Sequence, residues 1–164
     1  MSDTYGYYAG QARLVGAAGL IIRNATNSLL LLKPSYKSVW HVPGGIMEPD
    51  ESPRAAARRE ALEEIGLEVV VGRLLSVDYK SANTARPSGI QFLFDGGILP
   101  DHQLSQIRPD ATEVQEWGFF PIDEAVALVE PGGPAARLAN TLGAFHSSHP
   151  IYLEDGELIE ARTQ

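Results

Sequence analysis

The chain has 164 residues, of which 44% are hydrophobic and 21% are charged, a composition typical of one globular domain with a buried core. Its net charge of −8 and its pI near 4.9 argue against binding to duplex nucleic acid, which requires a basic surface. The chain contains no cysteine, which excludes disulfides, thiol catalysis and zinc–thiolate sites.

No basic stretch followed by an apolar run opens the chain, and no apolar segment approaches the length of a membrane span. The sequence therefore predicts a soluble cytoplasmic protein that does not contact membranes. We also find no repeat and no linker, so residues 1–164 are expected to form a single domain.

Short apolar and β-branched runs bounded by turn residues predict six strands before residue 121. They are expected at 14–22, 29–32, 40–42, 68–77, 90–94 and 113–120. A polar turn at 24–27 joins the first two strands into a hairpin. Loops rich in Ser, Pro, Asp and Asn are expected at 80–89 and 99–112.

Capping residues predict a helix that begins at Ser52 and Pro53 and is closed by Gly66. Two more helices are expected at 123–129 and at about 135–145. Near the end of the chain, Asp155-Gly156 between two apolar runs predicts a terminal hairpin at about 150–160. Together these elements predict an α/β fold, in which a mixed sheet carries helices on its faces.

The first helix carries three glutamates, Glu60, Glu63 and Glu64, at the spacing that places side chains on one helix face. Their charges repel one another and lie beside the negative end of the helix dipole. A solvated acidic face would explain three glutamates alone. Leu62 and Ile65 lie roughly opposite this arc and are expected to face the sheet.

Neighbouring residues favour a cation site over a solvated face. Gly44 and Gly45 allow backbone carbonyls to approach a metal or a phosphate without hindrance from a Cβ atom. Glu51 lies just ahead of the helix, and Arg59 supplies a guanidinium that can orient carboxylates. Hard oxygen ligands on a rigid helix suit Mg²⁺ or Mn²⁺.

This arrangement resembles the Nudix box, whose pattern is Gly-x5-Glu-x7-Arg-Glu-U-x-Glu-Glu-x-Gly-U, where U is a bulky aliphatic residue. The matching residues are Gly45, Glu51, Arg59, Glu60, Glu63, Glu64, Gly66 and Leu67. Seven fixed residues at this spacing would occur by chance on the order of once in 10⁶ such chains. Two positions depart from the common pattern: Ala61 stands at an aliphatic position, and Asp50 stands where glycine is common.

The resemblance implies a Nudix-type α/β/α sandwich and hydrolysis of a nucleoside diphosphate linked to a further group X. It implies two or more Mg²⁺ ions, with Mn²⁺ as a possible substitute. The metal ligands would be Gly45, through its backbone carbonyl or that of Gly44, and the glutamates Glu60, Glu63 and Glu64. Arg59 would hold the carboxylates in place, and Glu51 is a weaker candidate for a supporting role.

Family members often take the general base from outside the box, later in the chain. Glu113 and Glu116 lie where such a residue is expected, and exposed strand or loop residues are an equal alternative. Glu113 is preferred because it follows the long 99–112 loop. The catalytic set implied by the resemblance is therefore Arg59, Glu63, Glu64 and Glu113.

The nucleotide and the group X stay open. The residues that the resemblance associates with ADP-ribose, diadenosine polyphosphate, NADH and coenzyme A hydrolases are missing downstream of the box. Either Trp40 or His41 is expected to face the cleft, and Lys33, Tyr36 and Lys37 precede the box and could reach phosphates. Three N-terminal tyrosines, Tyr5, Tyr7 and Tyr8, could stack on a base or line a dimer interface, but a disordered or packed terminus is the favoured alternative.

Two other functions were weighed. A non-catalytic Nudix-fold sensor or recognition module usually has an eroded box, which this chain lacks. The related isopentenyl diphosphate isomerase relies on a cysteine, and the chain has none. A small nucleotide substrate and a homodimer, as is common in the family, are the expected partners.

Overall fold

The structure is a computed structural model that describes residues 10–159. The strands are β1 (Val15–Arg23), β2 (Leu29–Pro34), β3 (Gly44–Ile46), β4 (Leu74–Lys80), β5 (Gly89–Ile98), β6 (Val114–Phe120), β7 (Ile151–Glu154) and β8 (Glu157–Leu158). The helices are α1 (Pro53–Ile65), α2 (Asp101–Leu104), α3 (Ile122–Leu128) and α4 (Gly133–Gly143), and a 3₁₀ turn follows at Ala144–His146.

The strands form one mixed sheet in the order β6-β2-β1-β5-β4-β7-β8, and β3 pairs with β1 outside this path. β1 runs parallel to β5, and β4 runs parallel to β7, whereas the other pairs are antiparallel. One edge of β1 therefore serves two partners. It pairs with β2 at Arg23 and with β3 from Ala17 to Gly19.

Successive residues of β1 enter two separate cores, as expected when strand side chains alternate between the faces of a sheet. Leu20 and Ile22 pack in the cluster under α1, whereas Ile21 packs in the cluster under α3 and α4. Helices thus cover both faces of the mixed sheet. The predicted α/β/α sandwich is confirmed.

The central helix α1 begins and ends where its capping residues predict. The Ser52 hydroxyl accepts a hydrogen bond from the Ala55 N–H at 3.3 Å, and Pro53 occupies the first turn. Gly66 adopts a left-handed conformation with φ 70°, and its N–H donates to the Leu62 carbonyl. Only glycine adopts this φ without strain, so Gly66 stops the helix there.

The buried face of α1 differs from the prediction. Leu62 is 46% exposed, whereas Ala57, Ala61 and Ile65 are fully buried. Small alanine side chains let the helix approach the sheet closely, and this approach moves the buried stripe towards Glu64 and away from Leu62. Leu62 therefore lies at the flank of the helix, and the expectation that it faces the sheet is wrong.

Two predicted strands are displaced. Residues 40–42 form only isolated bridges, between His41 and Leu32 and between Trp40 and Val129, and the strand lies at Gly44–Ile46 instead. At Gly44 the φ of 144° brings the backbone so close to Ala18 that a side chain would not fit, which allows β3 to pair with β1. The strand predicted at 68–77 begins only at Leu74.

The remaining predicted elements are confirmed with small shifts of their ends. The predicted 99–112 loop contains the short helix α2, and the 80–89 loop follows the last residue of β4. The terminal hairpin turns through Asp155 and Gly156, whose φ values are 50° and 89°. Positive values at both central residues are the geometry that an Asp-Gly hairpin favours. No helix within residues 10–159 has the length and the apolar character needed to cross a membrane.

Candidate functional site

Arg59 lies at the centre of four glutamates, which we call the acidic cluster (Glu51, Glu60, Glu63 and Glu64). Its Nε and Nη2 donate to the two carboxylate oxygens of Glu51, each at 3.0 Å. Its Nη1 donates to Glu60 Oε1 and to Glu63 Oε2, both at 2.8 Å. The predicted orienting role of Arg59 matches this geometry, since one guanidinium fixes three carboxylates.

These contacts shift the pKa values of Arg59 and of Glu51, which lies just before α1. The hydrogen bonds from Arg59 hold the pKa of Glu51 below its ordinary value, with a smaller effect from the Glu48 N–H. The bonds to Glu51 in turn raise the pKa of Arg59. Glu51 is therefore an anion that anchors Arg59, and Arg59 Nη2 also donates to the Ile46 carbonyl of β3 at 3.2 Å.

Glu64 points to the buried side of α1 and contacts β3. Only 7% of Glu64 is exposed, and its Oε2 accepts a hydrogen bond from the Gly44 N–H at 2.8 Å. Burial raises the pKa of Glu64 to about 8, and the charges of Glu60, Glu113 and Glu63 add to this shift while the Gly44 N–H opposes it. The carboxyl group thus lies in a site that lacks positive charge.

Glu60 packs against β3 at Gly45, whose missing side chain leaves room for the carboxylate. A Cβ atom at Gly45 would meet Glu60 Oε1 at 2.5 Å. Burial raises the pKa of Glu60, and the hydrogen bond and charge of Arg59 partly offset this effect. Gly44 and Gly45 therefore have distinct tasks: one donates its N–H to Glu64, and the other leaves space for Glu60.

The predicted metal ligands Gly45, Glu60, Glu63 and Glu64 all lie in this region, around Arg59. Among residues 10–159, no three acidic or histidine side chains converge closely enough to enclose an ion. Arg59 accounts for the positions of Glu60 and Glu63, and the Gly44 N–H for that of Glu64. Their side chains would have to turn towards a common point to bind a metal.

The two candidates for the general base differ in their surroundings. Glu113 is exposed, and its charge contributes to the raised pKa values of both Glu60 and Glu64. Glu116 instead forms an ion pair with Lys33 at 2.6 Å. The structure thus places Glu113 near the acidic cluster and gives Glu116 a partner on β2.

A cleft of about 430 Å³ lies beside β3, and the backbone of Gly44 to Ile46 forms part of its wall. Trp40 and His41 both line it, where the sequence predicted one of the two, and Tyr36 and Lys37 also line it. Lys33 is absent from its lining. The N-terminal tyrosines Tyr5, Tyr7 and Tyr8 lie outside the described residues.

Ala17 and Gly19 of β1 line this cleft, whereas Ala18 between them packs in the core under α1. The cleft therefore opens on the sheet face that carries α3 and α4. The strand β3 separates the two regions: it contacts the acidic cluster on one side and lines the cleft on the other. A larger hollow of about 610 Å³ flanks α1 beside Arg58 and Val70, but none of its lining residues belongs to the acidic cluster or to β3.

Sequence reasoning missed five polar residues of the cleft, which are Lys80, Arg86, Gln91, Glu130 and Arg137. They come from β4, the 81–88 loop, β5, the α3–α4 connection and α4. No local pattern connects them. The sequence offered one weak indication: two basic residues, Lys80 and Arg86, lie at the end of β4 and in the loop that follows it, in an otherwise acidic chain.

The fold and the carboxylate-rich helix define an α/β/α sandwich protein with an acidic site at one strand of its sheet. The comparison with protein families is more specific, because residues 13–139 match the NUDIX domain. The chain belongs to the Nudix family.

Individual relatives agree with this assignment. Diphosphoinositol polyphosphate phosphohydrolase NUDT4B of Homo sapiens is 33% identical over 116 residues, which are 70% of this chain and 61% of that protein. The match thus spans about three fifths of that relative's length. An ADP-ribose pyrophosphatase from Streptococcus suis 89-1591 is 25% identical, with a TM-score of 0.63 over 87% of this chain and 99% of that chain.

The crystal structure of a UDP-X diphosphatase has a TM-score of 0.68 at 19% identity, and the match covers 92% of this chain and 73% of that chain. At this identity the likeness supports the fold alone.

Proposed function

We propose that this protein is a Mg²⁺-dependent hydrolase that cleaves the diphosphate linkage of a small nucleotide, such as a nucleotide sugar or a nucleoside triphosphate. The observation that carries the proposal is the acidic cluster: three carboxylates bind the guanidinium of Arg59, and a fourth, Glu64, lies beside them on the N–H of Gly44. The names of the human and the streptococcal relatives both describe cleavage of diphosphate compounds, which supports the same reaction class.

The acidic cluster fits a divalent cation in its charge and in its donor atoms. Arg59 is the one basic side chain that hydrogen-bonds to the cluster within the described chain, so the four carboxylates exceed the positive charge around them. Burial is the main cause of the raised pKa values of Glu60 and Glu64, and the charges of neighbouring glutamates add to it. Oxygen-only ligands on a helix suit Mg²⁺, with Mn²⁺ as a substitute.

Glu60, Glu63 and Glu64 would hold the metal, with the carbonyl of Gly45 beside them. When bound, the metal would neutralise the phosphates and lower the pKa of a water molecule. Arg59 keeps the carboxylates oriented through its bonds to Glu51. Glu113 is the proposed general base, since it lies near the cluster and has no side-chain hydrogen bond or ion pair among the described residues.

The cleft beside β3 is the proposed site for the remainder of the substrate. Trp40 and Tyr36 provide aromatic surfaces on which a base can stack, and the backbone of β3 connects this surface to the acidic cluster. The cytoplasmic location and the homodimer predicted from the sequence stay predictions.

The alternative function is a nucleotide-binding or sensor module without catalysis. One experiment separates the two: nucleoside triphosphates, nucleotide sugars and dinucleotides are incubated with Mg²⁺, and the products are identified. The parent protein should release a monophosphate or a phosphorylated fragment. Tight nucleotide binding without turnover would instead support the sensor module.

Two variants test the role of the acidic cluster. Glu63→Gln and Glu64→Gln should each lower kcat by about 10²- to 10⁴-fold, because each removes one charge from the proposed ligand set. Glu68→Gln is the matched control, since Glu68 is exposed and pairs only with Arg58. Circular dichroism checks that all three proteins fold. Near-normal turnover in both Glu63→Gln and Glu64→Gln would contradict the proposal.

A further inference from the structure

Four basic residues line the cleft, and we call them the cationic wall (Lys37, Lys80, Arg86 and Arg137). They come from the segment after β2, the end of β4, the 81–88 loop and helix α4. Such a concentration of positive charge is unexpected in a chain whose net charge is −8.

Arg137 is the buried member of the cationic wall. Its Nε donates to Asp78 Oδ2 at 2.6 Å, and Asp78, which is fully buried, also accepts a hydrogen bond from the Gly156 N–H at 2.9 Å. Arg137 is itself only 8% exposed. Asp78 therefore holds Arg137 in a defined position at the cleft.

The other three cations lack such partners. Within residues 10–159, no ion pair includes Lys37, Lys80 or Arg86. The Nη1 atom of Arg86 is buried and has no hydrogen-bond partner there. A donor without an acceptor is costly, and the partly exposed Arg86 side chain lines the cleft, so turning its guanidinium towards an anion there would remove this cost.

The positive charges of the basic residues also repel one another. Burial lowers the pKa of Lys80, and the charges of Arg137 and Arg86 lower it further, while Asp78 opposes them. Among the carboxylates, Glu130 lines the cleft; hydrogen bonds from Ser81 lower the pKa of Asp155, and the charges of Arg86 and Arg137 lower it further. Asp155 accepts hydrogen bonds from Ser81 instead of from the wall.

The register of the sheet gives the span between the wall and β3. Ile46, Ala17, Gln91 and Asp78 are successive cross-strand partners through β3, β1, β5 and β4. Three strand spacings amount to roughly 14 Å at the backbone. Asp78, the partner of Arg137, thus lies across the sheet from β3 at roughly the length of a nucleoside.

We propose that Lys80 and Arg86 bind a phosphate monoester that the substrate carries outside its scissile diphosphate. A guanidinium fork and an ammonium group beside it match the oxygens of a phosphate dianion. The inference rests on the proposed function, since it identifies which diphosphate compounds the cleft selects. It predicts that a compound with this additional phosphate is preferred over the same compound without it.

Binding without turnover is the first test. Adenosine 3′,5′-bisphosphate, inositol hexakisphosphate and AMP are titrated into the parent protein by calorimetry in EDTA, so that no metal-dependent step contributes. The parent should bind at least one of the first two more tightly than AMP. Lys80→Gln and Arg86→Gln should each weaken that binding about ten- to a hundredfold, the value of a charged hydrogen bond.

Three variants control for this result. Arg58→Gln removes one positive charge from the opposite side of the molecule, where Arg58 pairs with the exposed Glu68, and should leave binding unchanged. Lys80→Arg and Arg86→Lys keep the charge and should restore most of the affinity. If the phosphorylated probes bind no better than AMP, or if Arg58→Gln weakens binding equally, the proposal is wrong.

Turnover provides the second test. Coenzyme A is compared with dephospho-coenzyme A, and ADP-ribose 2′-phosphate with ADP-ribose, under Mg²⁺. The additional phosphate should raise kcat/KM in the parent protein, and Lys80→Gln should remove that gain. Equal rates for both members of each pair would contradict the inference and leave the proposed hydrolysis intact.

The two proposals can fail separately. Phosphate-dependent binding that is lost in Lys80→Gln, without turnover of any diphosphate, would support the anion site and contradict the hydrolase. A preference for inositol hexakisphosphate over the bisphosphate would assign the phosphate to a cyclitol ring, and the reverse preference would assign it to a ribose.

Discussion

The acidic cluster and the cationic wall lie on opposite sides of β3, and they differ in how the chain assembles them. Every member of the cluster and its arginine comes from residues 51–64: helical spacing brings Glu60, Glu63 and Glu64 together, and Arg59 binds Glu51 just ahead of α1. The wall collects Lys37, Lys80, Arg86 and Arg137 from segments up to 100 positions apart. The site proposed for the reaction is therefore encoded locally, whereas the site proposed for selectivity depends on tertiary structure.

The two regions are also opposite in their charge balance. The cluster has more carboxylates than cations, and burial leaves Glu64 with a raised pKa of about 8. The wall has three cations without ion pairs in the part of the chain that the structure describes. A metal with a phosphorylated substrate would compensate both imbalances at once, which links the two sides of β3 in one function.

The largest effect on stability is expected at Asp78, which holds Arg137 of the cationic wall in place. Asp78→Ala removes the partner of buried Arg137 and the acceptor of the Gly156 N–H. Removing one partner of a buried ion pair costs about 3–5 kcal/mol, so the free energy of unfolding should fall by about that amount. Urea denaturation at pH 7 measures it.

Glu68→Ala is the matched control for this prediction, because it breaks the pair between Glu68 and Arg58, whose side chains are 69% and 60% exposed. Its effect should stay below about 1 kcal/mol. If Asp78→Ala also costs less than about 1 kcal/mol, Arg137 is hydrated in the folded protein, and Asp78 does not hold it in a defined position.

An effect of comparable size, but of opposite origin, is expected from Glu64 in the acidic cluster. Its folded pKa of about 8 lies above the ordinary value of 4.5, so the folded state binds more protons than the unfolded state between these two pH values. The stability of the metal-free protein should therefore fall as pH rises through this window, by roughly 1.4 kcal/mol per pH unit.

The measurement is urea denaturation in EDTA between pH 5 and 8.5, for the parent and for Glu64→Gln. Burial lowers the pKa of His41, which adds a slope of the opposite sign below about pH 6.5. Because both proteins contain His41, the difference between them isolates Glu64. Glu64→Gln should become the more stable protein as pH rises. Parallel curves would show that Glu64 is solvated.

Much of the cluster was predictable because its determinants are local. Ser52 and Gly66 define the ends of α1, and the spacing of Glu60 and Glu63 places both beside Arg59. The burial of Glu64 was not predictable from the helix alone, since its partner is the N–H of Gly44, twenty positions away. A helical wheel contains no information about how closely alanines let the helix approach a sheet.

Long-range pairing explains the other differences. Residues 40–42 have the apolar character of a strand, but β1 offers its free edge to Gly44–Ile46, and the backbone at Gly44 fits there because it lacks a side chain. The cationic wall has no sequence signature. Lys80 and Arg86 meet Arg137 only after β4 and α4 pack against each other.

The smallest effect on stability is expected at β3, the strand between the acidic cluster and the cleft. The effect on metal binding should nevertheless be clear. In Gly45→Ala the new Cβ atom meets only the carboxylate end of Glu60, at 2.5 Å for Oε1, and a rotation of that side chain relieves the contact. The free energy of unfolding should change by less than about 1 kcal/mol. The displaced Glu60 should weaken Mn²⁺ binding about 10- to 100-fold, as loss of a supporting contact does at other metal sites.

Calorimetric titration with Mn²⁺ measures this affinity, and Gly143→Ala is the control, because its Cβ atom meets nothing within 4 Å. Gly44→Ala should behave differently, since its Cβ atom would meet the backbone of Ala18 at a φ of 144°, and the fold itself should lose stability. Unchanged Mn²⁺ affinity in Gly45→Ala would remove Glu60 from the proposed ligands. The cluster would then bind its metal through Glu63 and Glu64, away from β3, and its connection to the cleft would be lost.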